Sequence, residues 1–284
     1  MKRFLIIVNS IKGKEASVVS ERICRAVEAG GGQYHTVSGY VTKEQVPEGT
    51  ECAIVLGGDG TLLHASRDLM DLDIPLIGVN FGHLGFLADV EADAVEDMVS
   101  RLMRDDYLIE ERMMLEATII RGGMEVGTES ALNDIVIGRR GVMAVIDFKL
   151  HVNGIRLNNY KADGIIAATP TGSTAYSMSA GGPLVKPNAQ LIVMTPVCPH
   201  TLNTRSIILD KDDVVEIEIC QQKLDDGSSI GYVYYDGDNA VPLYNGDIIR
   251  IKKSKRSTDI IKLDSKSFLE VLRRKLNSNE DSQT

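Results

Sequence analysis

The residues best suited to chemistry lie together in Gly57-Gly58-Asp59-Gly60-Thr61, between the apolar run Cys52 to Leu56 and Leu62-Leu63-His64-Ala65. That order places them at a strand-to-helix turn. Glycines there let the backbone take positive φ and approach an anion closely, while the free N–H groups and dipole of the following helix favour negative charge. Gly57, Gly58, Gly60 and Thr61 are therefore candidates for a phosphate site. A carboxylate beside a phosphate is repulsive, so Asp59 fits only if it grips a cation, orients a hydroxyl or takes that hydroxyl's proton. The other reading is a tight turn in which Asp59 caps the helix. The pentapeptide alone leaves both open.

A second stretch follows the apolar run Ile165 to Ala168: Thr169-Pro170-Thr171-Gly172-Ser173-Thr174-Ala175-Tyr176-Ser177-Met178-Ser179-Ala180-Gly181-Gly182-Pro183. So many hydroxyls and small residues are not expected to drive a core, and plain connections between apolar segments are usually shorter. Backbone amides, hydroxyls and the face of Tyr176 would suit a purine and its ribose. A polar loop without a ligand is the alternative.

The elements that must position these residues change character along the chain. The first part alternates as βαβ units do: a strand at Arg3 to Val8, a helix from about Lys14 to Ala29 with Val18, Val19, Ile23 and Val27 on one side, and a stop at Gly30-Gly31-Gly32. A buried strand at Cys52 to Leu56, a helix from about Leu62 to Met70 and a strand at Ile74 to Val79 continue the pattern. This predicts an α/β domain with an open parallel sheet over residues 1–108. From there short β runs dominate: Leu115 to Ile120, Ile135 to Ile137, Val142 to Val152, Ile165 to Thr169, Leu191 to Thr195, Val214 to Ile219, Ile230 to Tyr235 and Ile248 to Ile251. Asn153-Gly154, Asp226-Gly227 and Asn245-Gly246 read as turns between them. A β-rich domain is predicted over residues 109–261, with the default ligand site in a crevice between the two. Ser267 to Leu276 reads as a helix, and the segment 262–276 is expected to pack back on the first domain. Residues 277–284 form a polar tail.

Bulk properties narrow the function. The chain has 284 residues and a formal charge of −9, enough length to bury roughly three-quarters of the unfolded surface and no broad basic face for a nucleic-acid backbone. Any phosphate site must draw its positive field locally, from backbone amides, a bound cation and a few Lys or Arg side chains. Cys24, Cys52, Cys198 and Cys220 lie far apart without CxxC or His spacing, and are expected to be buried, reduced thiols. The apolar run Phe4 to Val8 is too short for a signal segment, and no stretch is long enough to span a membrane. A cytoplasmic protein with no membrane or nucleic-acid partner is expected.

Several stretches together resemble the NAD kinase family over nearly the whole chain: GGDGT at 57–61, NFGHLGFL at 80–87, LND at 132–134, ADG at 162–164, TPTGSTAYSMSAGGPLV at 169–185, and the run from Thr195 to Arg205 that contains PHTLNTR. The resemblance implies an α/β domain, a β domain and NAD held between them. It implies transfer of the γ-phosphoryl of ATP, or of inorganic polyphosphate, to the 2'-hydroxyl of the adenosine ribose of NAD to give NADP. A Mg²⁺ or another divalent cation would travel with ATP, and the protein would be a homodimer or homotetramer.

Carried over by position, Asp59 would contact the 2'-hydroxyl as base or orienter, with Gly60 and Thr61 on the phosphate side. Asn133 and Asp134 would hold the adenine amino group and a ribose. Asp163 would meet the nicotinamide end, and Thr171, Thr174, Ala175, Tyr176 and Ser179 would enclose the adenine and its ribose. The family usually has Glu where this chain has Asp134 and often Arg-Gly where it has Lys161-Ala162; both exchanges keep the charge, but Lys lacks the bidentate fork of Arg. Asp236 falls near another Asp-Gly of the family, and Asp238 stands where many members have Gln.

His64, five residues after Asp59, could reach a phosphate or NAD, or be an ordinary half-exposed helix histidine. His83 reads as structural or hinge-related, and His35, His151 and His200 show no ligand spacing. No dedicated protein-only metal site is expected. An aspartate is a weak base toward an alcohol, and phosphoryl transfer needs mainly alignment and charge neutralisation, so Asp59 is expected to orient more than to deprotonate. Two other readings remain: a lipid or sugar kinase, which would share the glycine-acid turn, and a non-catalytic NAD sensor on the same scaffold, which would be expected to have lost the acid.

Overall fold

A computed structural model of the chain describes residues 1–9, 13–82, 85–88, 90–141, 145–201, 204–220, 229–264 and 268–277. The readings made of His83 and Leu84, of Val142 as a strand start, of the Asp226-Gly227 turn, of Ser267 and of residues 278–284 fall outside these residues. The chain divides into two compact units, one formed by Met1–Arg112 with Thr258–Thr284 and the other by Met113–Ser257.

The first unit is α/β. Strands β1 (Arg3–Val8), β2 (Gln33–Ser38), β3 (Cys52–Leu56) and β4 (Leu76–Asn80) lie parallel in the order β4-β3-β1-β2, and the short β5 (Val90–Glu91) pairs with β4. β1, β3 and β4 are apolar on both faces because helices cover both, as parallel sheets require. On one face α1 (Gly13–Ala29) and α3 (Val95–Met103) pack on Phe4, Ile6, Ile54, Leu56 and Ile77. α1 buries Ala16, Val19, Ser20, Ile23 and Val27, whereas Val18, expected on this stripe, is exposed. At about 100° per residue Val18 falls off the line joining the others. On the opposite face lies α2 (Asp59–Asp68), whose Leu62 comes so close to Gly78 that a Cβ on Gly78 would sit 2.7 Å from Leu62 Cδ1.

The second unit is a sandwich of two largely antiparallel sheets. One is six-stranded, in the order β13-β12-β11-β8-β15-β16: β8 (Asp134–Arg139), β11 (Gly164–Ala168), β12 (Leu191–Val197), β13 (Ile207–Asp210), β15 (Gly231–Tyr235) and β16 (Asp238–Leu243). The other contains β6 (Leu108–Arg121), β7 (Met124–Ala131), β9 (Ile146–Val152), β10 (Ile155–Ala162), β14 (Val215–Ile219) and β17 (Ile248–Lys262). Alternate residues of both sheets, such as Ile137, Ile165, Val233, Phe148, Ile217 and Ile249, form one core. The texture change expected at residue 108 is the start of β6, which runs through Arg112 before the division between units is reached. β17 likewise leaves the second unit at Ser257, and Ile260 then pairs with Leu76 of β4. The last helix, α5 (Phe268–Asn277), belongs to the first unit and takes in Asn277, which the sequence placed in the tail.

The hydroxyl-rich stretch after β11 differs from expectation. Thr169, Ser173 and Ser177 are fully buried, and Ile166, Ala168, Val185 and Val193 form a satellite core beneath the stretch. Internal hydrogen bonds make this burial tolerable. Thr169 Oγ1 donates to Leu132 O at 2.6 Å; Ser173 Oγ donates to Pro170 O at 2.7 Å and accepts from Val185 N at 3.0 Å; Ser177 pairs with Thr195 at 3.2 Å. α4 (Tyr176–Ser179) is a single turn within it. The cysteines also differ: all four are free, but only Cys52 is buried, Cys24 and Cys220 are half-buried, and Cys198 is exposed just beyond β12. Among the described residues no helix is long and apolar enough to cross a membrane.

Gly172 fixes this stretch against the start of β8. A Cβ there would lie 1.9 Å from the carbonyl oxygen of Asn133, a backbone atom that cannot swing aside. Gly172→Ala is expected to cost about 1–3 kcal/mol or more, seen as a lowered midpoint in thermal unfolding. An unchanged midpoint would mean that the stretch is not held there.

Candidate active site

The carboxyl ends of parallel strands are where ligands gather in open α/β sheets, and here three adjacent ends surround one hollow. Asn9 follows β1, Gly39-Tyr40-Val41 follow β2, and Gly57 to Gly60 follow β3. Of these, Asn9, Gly39, Tyr40, Val41, Gly58 and Gly60 line a cavity of about 430 Å³ together with Thr61, His64 and Asp68 of α2, whereas Gly57 and Asp59 do not. Gly58 is the N-cap of α2, with φ −85° and ψ −174°. None of Gly57, Gly58 and Gly60 has positive φ, contrary to expectation. Their value is space: a Cβ on Gly57 would meet Thr61 Oγ1 at 2.2 Å, while Gly58 and Gly60 face open volume. Thr61 Oγ1 accepts from Asn9 Nδ2 at 2.8 Å, which ties the end of β1 to the first turn of the helix. The hollow thus offers the N-terminus of a ten-residue helix, suited to an anion.

Asp59 is the first residue of α2 and not its cap, so the capping alternative does not hold. Its carboxylate turns to the segment 85–88. Oδ2 accepts from Phe86 N at 2.9 Å, and Oδ1 accepts from Leu87 N and Ala88 N, each at 3.1 Å. Gly85 completes this cradle, since a Cβ there would fall 1.9 Å from Asp59 Oδ1. A carboxylate has about four acceptor positions; among the described residues Oδ2 uses one of its two and can take a hydroxyl on the other. The turn therefore has two working sides: Gly58, Gly60 and Thr61 face the hollow, and Asp59 faces the amide cradle.

His64 lines the hollow, edge-on to Tyr40 with ring centroids 5.3 Å apart, and its Nδ1 lies 3.1 Å from Arg67 Nη2. Among the described residues no group of three or more His, Cys, Asp or Glu is arranged to hold a metal ion.

The second unit has its own cavity, of about 610 Å³. Asn133, Asp134, Asp163, Ala175, Tyr176 and Asp236, all candidates from the sequence, line it. Asp236 and Gly237 form the two-residue turn between β15 and β16, with φ of 51° and 82°, the geometry that Asp-Gly favours in hairpins. The turn aims the Asp236 carboxylate at the start of β8, where it accepts from Leu132 N at 2.8 Å, Asn133 N at 2.7 Å and Asp134 N at 3.1 Å. Asp134 itself is 4% exposed. Burial first, and then the charge of Asp236, pushes its carboxyl up to about 7, so near neutrality it can offer a proton to an acceptor as well as receive one. Asp163 is held by Arg139 at 3.1 Å.

Other candidates stand apart from this cavity. Thr174 Oγ1 donates to Thr171 O at 3.1 Å, and Ser179 is exposed in α4. Lys161 is 70% exposed and lies 3.5 Å from Asp147. None of Lys161, Thr171, Thr174 and Ser179 lines the cavity.

Sequence reasoning passed over Asn9, Tyr40 and Asp68 at the first cavity and Arg139, Cys198 and Tyr234 at the second. The strand-end rule pointed to Asn9. Alternation on β15, where Val233 and Tyr235 are buried, pointed to Tyr234 on the other face. The amides of 86–88 have no side-chain signature.

The family described as ATP-NAD kinase N-terminal domain matches residues 4–107, and ATP-NAD kinase C-terminal domain matches residues 132–263. An NAD kinase of Lachnospira eligens is 42% identical over 97% of this chain and all of its own length, and one of Lachnoclostridium phytofermentans is 42% identical over 97% and 99%. Among solved structures, yeast NADH kinase complexed with NADH superimposes with a TM-score of 0.87 at 22% identity, covering 97% of this chain and 88% of the other. An NAD kinase from Archaeoglobus fulgidus in complex with ATP gives 0.78 at 24%, covering 95% and 98%. The last two share the fold; the relatives at 42% identity, matched from end to end, show that this chain belongs to the NAD kinase family.

Proposed function

We propose that this protein is an NAD kinase that transfers the γ-phosphoryl group of ATP to the 2'-hydroxyl of the adenosine ribose of NAD, forming NADP and ADP. The observation that carries this reading is the 42% identity to relatives named NAD kinase over nearly the full length of both chains. A lipid or sugar kinase and a non-catalytic sensor are not favoured by those relatives, and Asp59 is in place.

In this reading the donor phosphates sit at Gly58, Gly60 and Thr61, where backbone N–H groups and the α2 dipole supply positive field to an otherwise acidic protein. A divalent cation carried with ATP would neutralise further charge on the polyphosphate. Asp59 Oδ2 accepts the hydrogen bond of the 2'-hydroxyl and holds its oxygen in line with the γ-phosphorus. The new O–P bond forms as the bond to the β,γ-bridging oxygen breaks, and the hydroxyl proton passes to Asp59. Because three amides already engage the carboxylate, its main contribution is alignment.

The adenine and ribose of NAD belong with Asn133, Asp134, Ala175 and Tyr176, and Asp163 with the nicotinamide end. The ribose contact of Asp134 fits a carboxyl that can donate at neutral pH. Inorganic polyphosphate is the alternative donor. A cytoplasmic homodimer or homotetramer belongs to the same proposal, on the strength of the family, and a sizing measurement at micromolar concentration reads the assembly.

Purified protein with NAD, ATP and Mg²⁺ is expected to form NADP. Tight NAD binding without product would favour the sensor, and neither binding nor product a lipid or sugar kinase. Asp59→Asn is expected to lose at least about 10²-fold in turnover while still binding NAD by calorimetry; near wild-type rates would sink the role given to Asp59.

The carboxyl of Asp134 sets a pH dependence. Well below its ordinary value of 3.8 the group is neutral in folded and unfolded chains alike. As pH rises toward about 7 the unfolded chain ionises first, so stability is lost across that window and the loss is complete above it. Asp134→Asn cannot ionise. Its thermal midpoint, relative to wild type, should rise from about pH 4 to about pH 7 and level off beyond; a difference constant across the window would contradict the raised carboxyl.

A further inference from the structure

The cradle that holds Asp59 is itself held by the C-terminal part of the chain. Inside it, Gly85 N donates to Ala88 O at 3.2 Å, and Asn80 Nδ2 donates to the same oxygen at 3.2 Å. On the outside, three residues that follow Thr258 meet Phe86 and Leu87. Lys262, 8% exposed at the end of β17, donates from Nζ to Leu87 O at 3.3 Å. The ring of Phe268, the first residue of α5, lies against the Phe86 ring with centroids 6.0 Å apart. Lys275 of the same helix places Nζ 4.4 Å from the Phe86 ring centroid. Phe268 and Lys275 are seven residues apart, two turns along one helix face, so α5 addresses Phe86 with a single side. Phe86 N is the one amide on Oδ2, the oxygen with the open acceptor position.

We propose that Lys262, Phe268 and Lys275 are positioning residues, which hold the 86–88 amides and through them set the Asp59 carboxylate for phosphoryl transfer. The proposal rests on the kinase reading above. None of the three needs to touch substrate. Alignment is steep in its effect, since a shift of about 1 Å in a reacting group costs on the order of 10²-fold in rate. Removing one outer contact should shift the cradle by less than that and leave the two substrate cavities intact, so turnover should fall while substrate affinity does not.

The test compares full-length variants in steady-state NADP formation. Phe268→Ala is expected to lower kcat on the order of 10-fold, with KM for NAD and for ATP within about twofold of wild type. Phe268→Tyr, which keeps the ring, should restore most of it. Lys275→Gln, on a partly exposed side chain, should give a smaller loss in the same direction and provides the measurement if Phe268→Ala does not fold. Leu269→Ala, one position along α5 and 68% exposed, should match wild type. Hydrogen exchange should be faster at the amides of 86–88 in Phe268→Ala than in Leu269→Ala, with or without substrates. A folded Phe268→Ala with wild-type kcat, a rise in KM at constant kcat, no rescue by Phe268→Tyr, or unchanged exchange at 86–88 would each overturn the proposal while leaving the kinase reading intact. Wild-type protein that forms no NADP would overturn both.

Discussion

One carboxylate receiving three consecutive backbone N–H groups joins the first helical turn of α2 to the loop after β4. Much of the surrounding geometry follows from it. Gly85 must lack a side chain because Asp59 Oδ1 occupies the place of its Cβ. Asn80 must reach Ala88 O to turn the loop back, and Leu87 and Ala88 are buried beneath it. A run of N–H groups converging on one anion is a concave site of fixed partial charge. Here a side chain fills part of it, and among the described residues a single acceptor position on Oδ2 is left open.

The second unit uses the same device with Asp236 and the amides of 132–134. The outcome differs because a second carboxyl, that of Asp134, lies in the same buried region. Asp236 is satisfied by backbone donors, while burial first, and then the charge of Asp236, raises the Asp134 carboxyl to about 7. Two acids in one cavity are thereby assigned different work: Asp236 shapes the start of β8, and Asp134 remains able to give or take a proton.

Legibility in the sequence followed burial. β1, β3 and β4 were visible as apolar runs because both faces are covered, whereas β2, with five of its six residues exposed, offered no such run. The hairpin at Asn153-Gly154 was readable from turn chemistry, and both residues have positive φ. The hydroxyl-rich stretch was found but misread in part, since Thr169, Ser173 and Ser177 spend their hydroxyls on the protein itself and only Ala175 and Tyr176 reach the cavity. In GGDGT the expected positive φ is absent, and the glycines serve close packing at Gly57 and open space at Gly58 and Gly60. The family resemblance carried what local reasoning could not, because the partners of Asp59 and Asp236 are backbone amides and any residue but proline supplies one.

The path of β17 has a consequence for synthesis. The strand hands the chain back to the first unit at Thr258, so that unit has its first hundred or so residues early and its last strand and helix only near the end. A nascent chain emerging from the ribosome can pair β1, β2, β3 and β4 long before Lys262 exists to meet Leu87. The α/β unit is therefore built in two instalments separated by the whole β sandwich, and the loop around Asp59 is the part that waits.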